Sequence, residues 1–426
     1  MNKRVVITGM GVVAPNGTGI HAFSESLKKG ISGIRFIQEL QDLEFGCRIG
    51  GIPDESDSPW LPVLEKYGLN TASDIIRYAL IAALEAWQDA GLEIPEYNSR
   101  GADYDTGCII GSAIGSADIF GSRIIPMTNG KKIKKLRSTI VEHSMISGAG
   151  ANLAGILAIG NQVTSNSSAC STGTEALILG YERIKEGKAL RMVVGGSDAY
   201  SPFGWAGFDA MRVLARKYNE TPEKGSRPMS ETADGFVPGA GAGILVIEEY
   251  GSALKRKAKI YAEIAGGHIN CGGHRQGGTM TAPNPEGVIR CIRQAIRDAG
   301  IQAGDIDYIS GHLSSTMADV IETENWCKAL GRYGKDFPWI NSLKSMTGHC
   351  IGAAGALETI SAVVQMNGSF IHPSLNCEDL HPAIAKNIDI TRIPMETHNN
   401  IPIRVAAKAS FGFGDVNSCI ILIKIV

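Results

Sequence analysis

Residues 166–187, NSSACSTGTEALILGYERIKEG, set one cysteine among small residues just ahead of an amphipathic helical run that extends to Lys185. A second stretch, HCIGAAGAL at 349–357, echoes ACSTGTEAL at 169–177, each placing a Cys before a Gly and an Ala-Leu helix segment. An echo this short supports an internal duplication without establishing one.

The surrounding pattern is alternating. KRVVITG at 3–9, TGCIIGSA from Thr106 and RMVVGGSDA from Arg191 read as buried strands. SDIIRYALIAALEAWQDAG from Ser73 and SMISGAGANLAGILAIG from Ser144 read as helices, the first stopped by a glycine. After GAGILVIEEY at 241–250 the alternation restarts with KIYAEIAGGHI, PEGVIRCIRQAIRDAG, IDYISGH, DVIETENWCKALG, PWINSLKS and AAGALETISAVVQM. RVAAKASFGF and NSCIILIKI close it as paired strands. The class is α/β, with two halves of similar element order, 1–255 and 256–426, expected to share one core.

Composition excludes several functions. With 44% hydrophobic and 20% charged residues the 426-residue chain is an ordinary soluble protein. A net charge of −2, from 41 basic and 43 acidic residues, gives no footprint for nucleic acid or an anionic membrane. Nine scattered cysteines without CxxC or zinc spacing fit free thiols in a reducing compartment. No apolar run suits a signal peptide or a membrane span, so a cytoplasmic location is expected. Gly9, Gly11 and Ala14 match a dinucleotide-loop spacing, but Pro15, Asn16 and Gly17 follow at once where that loop needs a helix.

Three places offer chemistry. Cys170 at a helix start gains only about 0.3–1 kcal/mol from the helix dipole, too little to ionise a thiol whose ordinary pKa is about 8.5. It is a buried structural cysteine unless a basic neighbour is supplied. His312 follows a buried strand directly and precedes Ser314, Ser315 and Thr316, where it is either a strand-end hydrogen-bonding residue or a crevice residue. Lys344, His349 and Glu358 lie in NSLKSMTGHCIGAAGALE, where an interior lysine requires an anion such as Glu358.

Taken in order, VVITGMGVVAPNG, SACSTGTEA, GGSDAYSPFGWAGFDAMRVLA, ADGFVPGAGAGILVIEE, KSMTGHCIGAAGALE and SFGFG closely resemble the elongating β-ketoacyl-acyl-carrier-protein synthases, over nearly the whole chain. The resemblance implies a thiolase-like fold, five layers αβαβα from two pseudo-repeated halves. It also implies a dimer, a homodimer or possible heterodimer, and decarboxylative Claisen condensation in fatty-acid or polyketide-type biosynthesis. Cys170 would carry the acyl group, and His312 and His349 would stabilise the enolate of malonyl-carrier protein. Lys344 with Glu358 would order the histidines. Backbone N–H groups of Cys170 and Phe413 would form the oxyanion hole, Phe413 and Phe411 the gate, and Ser314 and Thr316 a pantetheine contact. No metal or other cofactor is implied; phosphopantetheine arrives on acyl carrier protein, and neither nucleic acid nor membrane is an expected partner.

Against the family pattern, Leu313 replaces a glycine and is expected to add bulk beside His312. Met317 replaces a proline, and Asp415 replaces the last glycine of the gate motif. These departures suggest unusual acyl selectivity, as in a polyene or other secondary pathway. A thiolase would need a second reactive cysteine, for which Cys419 sits in a strand and not in a Gly-rich loop. An initiating synthase would use Cys/His/Asn, and a chain-length-factor-like partner would have lost its nucleophile. For acidic carrier protein, NGKKIKKLRS at 129–138 and the group Arg212, Arg216 and Lys217 are the candidate docking patches.

Overall fold

A computed structural model describes residues 3–425. Strand β1 (Val5–Ala14) is buried at all ten positions, as a continuous apolar run covered on both faces demands. It lies near the middle of a mixed sheet that has eleven strands among the described residues. The first half adds β2 (Thr106–Gly111), β3 (Val163–Thr164), β4 (Arg191–Asp198) and β5 (Gly241–Glu249), in the order β3-β2-β4-β5-β1. The second contributes β6 (Ala262–Cys271), β7 (Tyr308–Ser310), β8 (Trp339–Asn341), β9 (Val405–Gly412) and β10 (Val416–Ile423), in the order β8-β7-β9-β10-β6.

The two orders repeat pairing by pairing. In each leaf the outer three strands are parallel and the remaining two pairings are antiparallel. Among the described residues the leaves are joined strand to strand where Val5–Ile7 pair with Ala262–Ile264.

Helices complete five layers. The outer face of the first leaf carries α1 (Asp74–Asp89) and α2 (Gly148–Leu157). Between the leaves lie α3 (Thr172–Lys185) and, from the second half, α7 (Ala354–Gly368), each packed on strands of both leaves. The second leaf is covered by α4 (Pro285–Asp298), backed by α5 (Ala318–Leu330), while a short α6 (Lys344–Thr347) follows β8. The fold is the thiolase-like αβαβα arrangement. Gly9 and Gly11 belong to its packing: an added Cβ would come within 2.1 Å of Ala86 O and 1.9 Å of Ala82 O on α1. The dinucleotide-like spacing thus lies inside a strand.

α3 and α7 begin alike, each from a 3₁₀ turn, Ala169–Ser171 and Ile351–Ala353. The opening residue of each turn is left-handed, Ala169 with φ 49° and Ile351 with φ 47°. This register pairs Cys170 with Gly352, correcting by two residues the Cys170–Cys350 pairing that the sequence echo suggests. The helices cross on matching glycines. A Cβ on Gly173 would stand 2.7 Å from Ala356 N, and one on Gly355 2.6 Å from Thr174 N. Backbone approach, not cysteine identity, is what the duplication preserves.

Candidate active site

Cys170 sits in the turn between β3 and α3, directly after the left-handed Ala169, a costly conformation for a residue with a Cβ and one that clusters at functional sites. Its side chain lines a cavity of about 370 Å³ whose walls include Phe208, Val213, Phe236, Ile351, Phe411 and Phe413. The Cys170 sulfur and a ring nitrogen from each of His312 and His349 lie within 4.8 Å of one another. The imidazoles stand edge to face with centroids 5.3 Å apart. Residues from both halves of the chain therefore meet at one point.

The charges around this point are ordered. Lys344 is fully buried, and its ammonium bonds to the His312 carbonyl oxygen and to Glu358. It also lies 3.5 Å from His312 Nδ1. An ammonium can only donate, so His312 carries its proton on Nε2. The Ile351 N–H donates to His349 Nδ1 at 3.1 Å, fixing the same tautomer there. His349 Nε2 is buried and has no partner, leaving an N–H for a ligand in the cavity. Burial, reinforced by the Lys344 charge, pushes both imidazoles well below the usual histidine range, so they are neutral at pH 7. Burial pushes the Cys170 thiol up to about 11, opposed by Lys344 and by the Phe413 backbone N–H. The resting thiol is protonated, in keeping with the small dipole contribution.

Among the described residues the Cys170 N–H has no acceptor, and it lies beside Gly412, where an added Cβ would be 3.1 Å from it. The Cys170 and Phe413 N–H groups thus flank the sulfur. Ser314 and Thr316, with hydroxyls 3.0 Å apart, line the same cavity together with Thr281. Phe413 packs against Phe208 at 6.3 Å, and Phe411 against His312 at 6.2 Å.

Four buried residues of this site escaped the sequence reading. Glu322 accepts the His312 and Leu313 N–H groups, each at 2.7 Å, and Asp319 accepts those of Ser314 at 2.7 Å and Ser315 at 3.0 Å. These two acids, three apart on α5, clamp the loop that carries His312; their spacing just after HLSST was the available signal. Lys408 on β9 lies 2.9 Å from Glu358 Oε2, off the hydrogen-bonding direction. Asp198, at the end of β4, accepts from Ser112 Oγ, Ala113 N, Ile114 N and Gly352 N.

Some expectations change. Leu313 is wholly buried in the core with Ile309, Trp326 and Ile340, away from the cavity, because the Glu322 clamp turns the backbone there. It adds no bulk to the site. Asp415 is left-handed, φ 60°, and its carboxylate accepts from His274 N at 2.9 Å and Asn284 N at 2.7 Å, joining the gate turn to the loop at 272–284. Cys419 is buried inside β10. Arg216 and Lys217 are paired with Asp209 and Asp234, whereas Lys131, Lys132, Lys134, Lys135 and Arg137 are exposed with no ion pair among the described residues.

A thiolase-like fold whose cysteine from one half faces two neutral histidines from the other defines a carbon–carbon condensing enzyme that works through an acyl thioester. The chain belongs to the β-ketoacyl synthase family: the N-terminal domain model matches residues 2–253 and the C-terminal domain model residues 261–378. It is 34% identical over 98% of its length to "3-oxoacyl-[acyl-carrier-protein] synthase I, chloroplastic" of Arabidopsis thaliana, covering 86% of that protein. It is 33% identical to "3-oxoacyl-[acyl-carrier-protein] synthase 2" of Vibrio harveyi, over 99% of each chain. A solved chain from a complex of a type II PKS acyl-carrier protein with its ketosynthase bound to the hexaketide superposes with a TM-score of 0.87 at 29% identity, over 100% of both chains. No helix among the described residues is long and apolar enough to cross a membrane.

Proposed function

We propose that this acyltransferase condenses a Cys170-bound acyl group with malonyl-acyl carrier protein, in fatty-acid or polyketide-type biosynthesis. The single observation that carries this reading is the meeting of one thiol and two imidazoles on one apolar cavity. Sulfur attack on an acyl-carrier thioester forms the acyl-enzyme, and the thiol proton departs with the carrier thiol. As malonyl-carrier protein loses CO2, the electrons of the broken bond pass to an enolate oxygen that accepts from His312 and His349. Neutral imidazoles suffice, and full protonation would cost too much in this dry site. The enolate carbon attacks the acyl carbonyl, whose oxyanion takes the Cys170 and Phe413 N–H groups. Collapse expels the Cys170 thiolate and leaves a 3-oxoacyl thioester two carbons longer.

Phosphopantetheine would enter past Ser314, Thr316 and Thr281, and Phe413 would swing to admit the acyl chain. The 129–138 cluster, exposed and without acidic partners, suits an acidic carrier protein better than the second patch, where Arg212 is exposed and unpaired among the described residues but Arg216 and Lys217 are paired with Asp209 and Asp234. Incubation with acyl- and malonyl-carrier proteins tests the reading. A 3-oxoacyl product with stoichiometric CO2 is expected. Condensation of two acetyl thioesters without CO2 would indicate a thiolase, and activity seen only as stimulation of another ketosynthase would indicate a chain-length factor.

A further inference from the structure

Lys408 lies on β9 in the small and apolar stretch VAAKASFG, with no exposed surface. An ammonium in such a place is costly unless oxygens replace its water. Two do, Ser410 Oγ at 2.9 Å and the Ala409 carbonyl, while Glu358 Oε2 stands 2.9 Å away as an opposite charge, off the hydrogen-bonding direction. Glu358, however, is also the anion that holds Lys344. One carboxylate thus stands between two buried lysines, and these three groups sum to one positive charge while Lys408 is protonated; burial pulls the Lys408 ammonium below its ordinary range, and Glu358 opposes that.

The groups facing Lys408 come from every side of the site: Lys344 from α6, Glu358 from α7, Glu322 from α5, the Cys419 thiol from β10, and His312 and His349 from the loops after β7 and α6. Burial, with Asp319 beside it, pushes the Glu322 carboxyl up to about 7, although two backbone N–H groups donate to it. Through Ser410, Lys408 is also connected to the turn and helix start that follow Cys170. The Ser410 hydroxyl lies 2.9 Å from Thr174 Oγ1 in the first turn of α3, and the Ser410 carbonyl accepts from Ser171 Oγ at 3.1 Å.

We propose that Lys408 is a positioning residue for the condensation: by sharing Glu358 with Lys344 it leaves a positive charge in excess beneath His312 and His349, where the enolate forms. Lys344 and Glu358 alone would make a neutral pair. The added ammonium keeps the imidazoles in their neutral, donating form and lowers the energy of negative charge on the substrate oxygen. The inference rests on the function proposed above.

The test is the rate of malonyl-carrier-protein decarboxylation against pH for the full chain and for Lys408→Met. That substitution leaves Lys344 and Glu358 as a balanced pair, so no buried charge is orphaned. The variant should lose at least about tenfold in rate, with KM for malonyl-carrier protein within about twofold. Removing a cation from the histidines raises their affinity for protons, so its acid limb should move up by about one pH unit. Lys408→Arg, which keeps the charge, should keep the wild-type acid limb. A Lys408→Met profile that superimposes on wild type, or an equal displacement in Lys408→Arg, would overturn the proposal. Should Lys408→Met not fold, Lys408→Ala with added ethylammonium decides: recovery of at least about fivefold supports the role and none overturns it. A wild-type chain that never decarboxylates malonyl-carrier protein would overturn the reading of the site itself, and this inference with it.

Discussion

The starts of α3 and α7 are two copies of one backbone device put to opposite uses. Each is a 3₁₀ turn opened by a left-handed residue, and the two helices cross on equivalent glycines. At α7 the second residue of the turn is Gly352, and its N–H is consumed by the Asp198 carboxylate at 2.6 Å. At α3 the same position is Cys170, whose N–H has no acceptor among the described residues and whose side chain faces the cavity. The duplicated scaffold offers two anion sites. One is filled by a built-in carboxylate that ties the halves together, and the other, in the mechanism proposed above, would receive the oxyanion that exists only during reaction.

That contrast can be broken from either side. The largest effect is expected at the open copy, where Cys170→Ala should lower condensation by roughly a thousandfold or more with little change in Tm, as measured by product formation and thermal unfolding. At the filled copy, Gly352→Ala would place a Cβ 2.6 Å from Asp198 Oδ2 and 2.8 Å from Ala113 N. Unfolding should show a loss of roughly 3 kcal/mol, and activity should fall with the fold and not ahead of it. A smaller contrast concerns protons. Burial and Lys344 hold both histidines well below the ordinary range, so decarboxylation should stay level as pH falls through about 6.5, where a free imidazole would titrate. The smallest effect should be that of Cys350→Ala. The sequence echo pairs Cys350 with Cys170, yet burial pushes its thiol up to about 12 and it does not line the cavity. Activity within about twofold of wild type is expected, with a modest loss of stability from the small cavity.

Most elements of the sheet and its helices were legible because apolar periodicity and glycine stops report burial directly. Cys170, His312, Lys344, His349 and Glu358 were found as separate ambiguous sites, and ordered motifs rather than spacing joined them. What the chain did not disclose is long-range. Asp198 clamps a turn 154 residues further on, so nothing local marks its role. Lys408 sits in a strand segment whose complete burial shows only once β9 is placed in the sheet. Leu313 looked like bulk in the pocket because the direction of its side chain depends on Glu322, nine residues away.

The most direct test of the account is peptide mass spectrometry after brief exposure of the full chain to acyl-carrier protein without malonyl donor. One acyl thioester per chain is expected, on the peptide holding Cys170, and none on that holding Cys350. Acylation of Cys350, of Cys419, or of no cysteine would contradict it.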